Sequence, residues 1–359
     1  MKICIALGSL VKSGAERGIS DVARVLSTKH DISLVAYQHK DARAESWADF
    51  SIRLVEFKFG VLNYFVFGPL RLFSTLRQID PDVCIQCAVG DLTGLIGAYS
   101  RLHNSRFIYH SANNMDLILR SAYWVTKSPI SLFQYAFGLA SADLVVAQTR
   151  EIAEQFRNKF LGLKRVAYVP PIYDASSVRA PVSKSNYALW LARMVWFKQP
   201  ELFIRLARSL PRYSFVMAGG GPMESEMRRL SGALPNLRFL GQVEHETAEQ
   251  LCAKARVFVN TSTFEGFPLT FLEAAARRTP QVNLNYDPDE VICRYRLGFH
   301  SRSFEKLVKD VSSIMEDDHL TRELGDNARR YVIKKHSPEA ALEAYESALS
   351  KLPIKRHPS

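Results

Sequence analysis

The chain has 359 residues, 47% of them hydrophobic and 23% charged, and a net charge of +11. That composition excludes a disordered or fibrous protein and allows two domains with cores of their own. The positive charge favours polyanionic partners, but no Lys/Arg-rich cluster is interleaved with aromatics, so no nucleic acid is expected.

In chain order, MKICIALGSLV has too short an apolar core for a signal peptide and reads as a first buried strand. Further strands are expected at DISLVAY, DVCIQCA, RFIYH, ADLVVAQ and RVAYV. Between them lie amphipathic stretches such as AERGISDVARVLS, where Ile19, Val22, Ala23 and Leu26 recur at helical spacing. This alternation predicts a parallel sheet covered on both faces. The C-x-x-C of Cys84 and Cys87 falls on a strand, whose period of two sends the thiols to opposite faces. With five cysteines in all, reduced thiols and a cytoplasmic location are expected. The longest apolar stretches, 59–70 and 128–142, fall short of the ~18 residues of a spanning helix. The first, aromatic-rich and flanked by Arg and Lys, suits either a membrane surface or a core helix.

VPPIYDASSVRAPVSKSN (169–186) is rich in Pro and Ser and reads as a linker. The pattern then restarts with strand YALWLAR, helix PELFIRLARSL, strand YSFVMAG, helix GPMESEMRRLSG and strands LRFLG, RVFVN and PQVNLN. The last helix has Ser337 as N-cap, Pro338 in its first turn and Glu339 near its positive end. The expected organisation is a Rossmann-like domain over 1–170, a linker over 171–185, a second over 186–335, and a helix and tail over 336–359 that return to the first. Two doubly wound domains would face each other across a cleft between the C-terminal edges of their sheets.

Three segments of the second domain carry the chemistry. AGGGP (218–222), with Gly220 at its centre, ends a strand and opens a helix, which suits either phosphate or a tight turn. It matches neither the dinucleotide fingerprint nor the P-loop. In LARMVWFKQP (191–200), Arg193 and Lys198 stand where two cations can reach one diphosphate. In FEGFPLTFLEA (264–274), Glu265 precedes Gly266, Phe267 and Pro268, and Leu269 opens a helix that carries Glu273. A helix N-terminus favours an anion, and a carboxylate beside it accepts well from hydroxyl groups. Phosphate flanked by polyols describes a nucleotide sugar. Asp287-Pro288-Asp289, which imitates a metal-binding D-x-D, reads as a turn.

These residues, in this order, resemble glycosyltransferase family four, whose fold is GT-B. SGAER (13–17) resembles the family's N-terminal Gly-Gly-x-Glu-Arg loop, with Ser13 in place of its first glycine. Ala192 stands where a glycine often precedes the arginine, and the loop after His110 is SANN rather than an acidic continuation. NTSTFEGFPLTFLEAAARRTPQV carries the family's E-x7-E motif, and RFIYHSANNMD and YDPDEVI resemble bacterial enzymes of surface-polysaccharide assembly.

The resemblance implies that Arg193 and Lys198 neutralise the departing diphosphate. Glu265 would hold the transferred sugar beside the N–H groups of Phe267 to Leu269, and Glu273 the ribose. Gly14 would pass near the diphosphate, His110 would lie near sugar and acceptor, and Gly241 and Val243 would touch the base. The implied reaction is metal-independent, retaining transfer of a hexose from a UDP- or GDP-sugar to a saccharide or lipid-linked acceptor. No cofactor is expected. An anionic membrane surface, at the inner face of the cell membrane, is a further expected partner. The alternatives are a GT-B nucleotide-sugar epimerase or hydrolase, and a non-catalytic, membrane-associated polysaccharide-binding protein.

Overall fold

The structure, a computed structural model, describes residues 1–8, 14–38, 50–56, 67–126, 128–160, 165–176, 178 and 184–352. Ser13, most of the apolar stretch 59–70 and part of the segment 171–185 lie outside these residues. The chain divides into two compact units, Met1–Ile172 with Pro338–Ser359, and Tyr173–Ser337.

The first unit runs β1 (Lys2–Leu7), α1 (Gly14–Leu26), β2 (Asp31–Gln38), β3 (Ser51–Glu56), α2 (Gly68–Ile79), β4 (Val83–Cys87), α3 (Asp91–Leu102), β5 (Arg106–His110), α4 (Ser121–Thr126), α5 (Ile130–Ser141), β6 (Leu144–Ala147), α6 (Arg150–Lys159) and β7 (Val166–Tyr168). Among the described residues its sheet is parallel, in the order β3-β2-β1-β4-β5-β6-β7. Strand periodicity builds two cores. Ile3, Ile5 and Leu7 of β1 join Ile19, Val22 and Leu26 of α1, whereas Cys4 and Ala6 join Leu72, Ile96, Tyr135 and Phe156 of the helices on the other face. Cys84 belongs to the second core and Cys87 packs against the first, so the thiols point apart as the spacing predicts. The sequence reading omitted β3. It is a six-residue edge strand with an exposed Arg53, paired along its whole length with β2.

Within this unit α3 and α5 approach backbone to backbone. A Cβ on Gly94 would stand 2.6 Å from Gln134 O, one on Gly97 2.9 Å from Ser141 Cβ, and one on Gly138 2.5 Å from the carbonyl of Thr93. No side chain larger than hydrogen fits these three points without the helices parting.

The second unit runs β8 (Tyr187–Leu191), α7 (Pro200–Ser209), β9 (Ser214–Ala218), α8 (Glu224–Ser231), β10 (Leu237–Gly241), α9 (His245–Lys254), β11 (Val257–Asn260), α10 (Leu269–Ala276), β12 (Gln281–Asn283), α11 (Val291–Arg294), β13 (Gly298–His300), α12 (Phe304–Glu316) and α13 (Asp318–Lys335). Its described sheet is parallel, in the order β10-β9-β8-β11-β12-β13. Ala188 and Trp190 of β8 face one core, Leu189 and Leu191 the other. β13, a three-residue edge strand begun by a glycine, was also missed from sequence. Tyr173 and Ala175 pack with Phe271, Leu272 and Ile292 of this unit. The Lys184 ammonium donates to Ala253 O (2.7 Å), Arg277 O (2.8 Å) and Thr279 Oγ1 (2.6 Å), three acceptors for its three protons.

The chain then re-enters the first unit as α14 (Pro338–Leu349), whose Ala341, Tyr345 and Ala348 complete the core on α1. His30 Nε2 lies 2.7 Å from Glu346 Oε1 at that seam.

The α3–α5 approach generates a stability prediction. Gly138→Ala forces the helices apart and lowers unfolding free energy by roughly 1–3 kcal/mol. The urea midpoint should fall with little change in slope; an unchanged midpoint contradicts the packing argument.

Candidate functional site

In the second sheet β8 lies between β9 and β11. Connections from β8 run outward to β9 and β10, and the chain then returns to the other side of β8 as β11. The strand order therefore reverses at β8/β11, the position where open α/β sheets take ligands beyond their carboxyl ends. Residues 192–199 leave β8 there and residues 261–268 leave β11.

Main-chain and side-chain groups together tie these two loops to each other. Thr263 N donates to Phe197 O at 2.8 Å. Thr261 Oγ1 accepts from Trp190 Nε1 at 3.0 Å and lies 2.6 Å from Lys198 O. Asn285 Nδ2 reaches both Gln199 Oε1 (2.8 Å) and Thr261 O (3.0 Å). On this frame Lys198 Nζ and Glu265 Oε1 form an ion pair, with side chains 16% and 8% exposed. Asn260 Nδ2 also approaches Glu265 Oε1, at 3.4 Å. Arg193 is exposed at the same loop. Trp196, itself 58% exposed, meets Phe197 and Phe264 edge-on at 5.5 and 5.7 Å.

The glycine turn supports the Arg193 loop from below. Gly219 and Gly221 have φ of +133° and +147°. Cβ atoms on them would stand 1.9 Å from Ala192 O and 2.6 Å from Met194 O. Met194 N donates to Gly220 O at 2.8 Å, and Gly219 N to Gly241 O at 2.7 Å. The protein's own backbone thus requires glycine at 219 and 221. At Gly220 a Cβ would meet chiefly the Gln242 side chain, so that position tolerates adjustment. Val243, just past β10, is half-buried against the core that holds Leu191.

Glu265, Gly266 and Phe267 are buried, and Pro268 and Leu269 half-buried, at the entry to α10. That helix begins at Pro268 without a side-chain cap. Glu273, 4% exposed, lies about one turn in. Arg277 Nη1 donates to Glu273 O (3.1 Å) and Tyr173 OH (2.6 Å), and Arg277 Nη2 pairs with Glu249 Oε1 at 2.6 Å. Burial, reinforced by the charge of Glu273, raises the pKa of the Cys252 thiol. Asp287 accepts from Ile292 N (2.9 Å) and Cys293 N (3.2 Å), which makes the D-P-D a capping turn for α11.

Gly14 and His110 belong to the first unit. Gly14 opens α1, which follows β1, an interior strand of the sheet. His110 ends β5, is 4% exposed, stacks on Tyr345 with ring centroids 6.3 Å apart, and has Nδ1 3.6 Å from Cys87 Sγ. The residues that sequence reasoning did not single out are Asn260, Thr261 and Trp196. A polar Asn-Thr pair at the end of an apolar strand was a visible signal for the first two.

Residues 174–331 match the family described as "Glycosyl transferases group 1". The chain is 22% identical over 346 residues to the "GalNAc-alpha-(1->4)-GalNAc-alpha-(1->3)-diNAcBac-PP-undecaprenol alpha-1,4-N-acetyl-D-galactosaminyltransferase" of Campylobacter jejuni, covering 92% of this chain and 93% of that protein. It is 30% identical over 156 residues to the alpha-galactosylglucosyldiacylglycerol synthase of Streptococcus pneumoniae, 40% of this chain and 41% of that one. Among solved structures, Anabaena HepE in complex with UDP-glucose aligns with a TM-score of 0.80 at 15% identity, covering 98% of this chain and 100% of that one. The fold is therefore GT-B, as the sequence resemblance implied.

The burial of His110 sets a pH expectation. Desolvation pulls its imidazole from 6.5 to about 4. The folded value lies below the unfolded one, so its contribution to stability is intact above the unfolded value and is lost as pH falls through about 4. Asp116 acts oppositely: burial raises it from 3.8 to about 6, so its penalty is present above that value and eases on acidification. At about pH 5.5, NMR of the imidazole should report neutral His110, and an imidazolium signal there contradicts the burial argument. The urea midpoint of His110→Gln should fall less than that of wild type between about pH 7 and 5; equal falls remove His110 as the acid-labile group.

Proposed function

We propose, for a chain that belongs to the group 1 glycosyltransferases, that it moves a hexose from a nucleotide-diphosphate sugar to a hydroxyl of a saccharide or lipid-linked acceptor. Transfer would proceed with retention at the anomeric carbon, in surface-polysaccharide assembly on the cytoplasmic side of a membrane. The observation that carries the reading is the part-buried Lys198–Glu265 pair at the strand-order reversal, beside the N-terminus of α10. Two relatives, named for an undecaprenol-linked saccharide substrate and for synthesis of a diacylglycerol glycolipid, support the acceptor class.

The difficult event is departure of a diphosphate from a carbon that becomes cationic. Fixed positive potential at the leaving oxygen lowers that barrier without reorganisation. Lys198, Arg193 and the α10 N-terminus supply it in this reading, which requires no metal or cofactor. Without donor, the Lys198 ammonium and the Glu265 carboxylate neutralise each other, as two charges with little exposure must. An arriving diphosphate offers the ammonium a stronger acceptor, and the sugar hydroxyls offer the carboxylate donors in return. The ion pair is exchanged for two contacts to substrate, and neither charge is left unpaired. Glu273 takes the ribose hydroxyls, and a UDP- or GDP-sugar is the expected donor.

The direct test is a transfer assay with UDP- and GDP-hexoses and lipid-linked saccharide acceptors. Glycosylated acceptor is expected; free or epimerised sugar without it would indicate a hydrolase or epimerase instead. Lys198→Ala and Glu265→Gln should each reduce kcat on the order of 10²–10³-fold, and near-wild-type turnover by either removes its assigned role. Glu273→Gln should raise the donor KM with kcat largely kept; an unchanged KM is inconsistent with ribose binding.

A further inference from the structure

Among the described residues no helix is long and apolar enough to cross a membrane, yet one face of the first unit is apolar and exposed. Along α5, Ile130, Phe133, Phe137 and Ala140 recur at steps of three and four, so they form a single stripe. All four are exposed, Phe133 at 74%. The opposite side of the helix, with Ser131, Tyr135, Gly138 and Leu139, is buried. Leu119, Tyr123 and Trp124, at the start of α4 and just before it, are exposed as well, and α4 packs on α5.

The fold does not need this stripe. α5 is held by its inner side chains and by the glycine approach to α3, so six large apolar side chains stay in water where polar ones would serve equally. A concentration of this kind marks an interaction surface.

Its charge identifies the occupant. Residues 118–142 contain Arg120 and Lys127 and neither Asp nor Glu. Arg120 is exposed. Arg101 lies over the Phe137 ring at 5.5 Å and donates to Ala140 O at 3.1 Å, a guanidinium at the rim of the stripe. The acids near these helices are turned to other work: Asp116 is buried, Asp143 accepts from Phe107 N at 3.0 Å, and Asp91 is hydrogen-bonded to Ser131. Tyr and Trp are the side chains that tolerate a boundary between water and hydrocarbon. Apolar anchors with a cationic rim match an anionic lipid surface.

We infer that the α4–α5 face, through Leu119, Tyr123, Trp124, Ile130, Phe133 and Phe137 with Arg101 and Arg120, seats the enzyme on an anionic membrane. This deepens the membrane-side part of the reading above and is independent of the transfer chemistry.

The experiment is flotation of the full chain with phosphatidylcholine vesicles, with and without about 30% phosphatidylglycerol. Wild type should float with the anionic vesicles and much less with neutral ones, and added salt should release it. Phe133→Ser with Phe137→Ser should lower the partition coefficient about tenfold or more, and Arg120→Gln about fivefold. Circular dichroism and donor affinity should not change, which separates this proposal from the donor-site reading. Ile130→Ser provides a second, milder probe should the double variant fold poorly. The proposal is overturned by absence of flotation, by equal binding to neutral vesicles, or by variants that partition like wild type. It is equally overturned if the double variant instead abolishes a concentration-dependent dimer that never binds vesicles.

Discussion

Two loops laced together by main-chain and side-chain hydrogen bonds, where strand order reverses in the second sheet, set the constraint on which the candidate site rests. Thr261, Thr263 and Asn285 hold residues 197–199 against residues 261–263. Lys198 and Glu265, carried on those loops, are held with little exposure to water. Two opposite charges placed there must meet, because an unpaired charge with so little exposure is far more costly than a paired one. A buried pair of this kind adds little net stability, since desolvation offsets most of the attraction. It can therefore be surrendered to a ligand that satisfies both partners.

The glycines at 219–221 illustrate how one residue type answers two questions. From sequence they suggest room for phosphate. In the structure the positions beside Gly219 and Gly221 are filled by the carbonyls of Ala192 and Met194. The turn braces the loop that bears Arg193, so its contribution to the site is to hold a cation-bearing segment at a fixed height. That role is stricter than ligand contact, because a backbone carbonyl cannot swing aside as a side chain can.

Much of this was legible in the chain itself. Buried parallel strands read as apolar runs, and helices as periodic ones, because each periodicity reflects which faces meet the core. The edge strands β3 and β13 did not declare themselves: β13 is three residues long, and in β3 the charged Arg53 and Glu56 interrupt the apolar run that marks the buried strands. The candidate site residues could be picked out from the run of glycines, cations and glutamates, but not their partners. Lys198 and Glu265 stand 67 positions apart, and only the topology that returns the chain beside β8 makes them neighbours. Likewise His110 was readable as a strand-end histidine, whereas its enclosure by Tyr345 comes from a helix more than two hundred residues later.

That late helix has a consequence for biogenesis. Ile19, Val22 and Leu26 pack with Ala341, Tyr345 and Ala348 of α14, and the whole of residues 173–337 intervenes. As the chain emerges from the ribosome, one flank of the first-made unit has no cover until the last helix arrives. The later unit can finish folding first, leaving the earlier one partly exposed and dependent on chaperones during that interval.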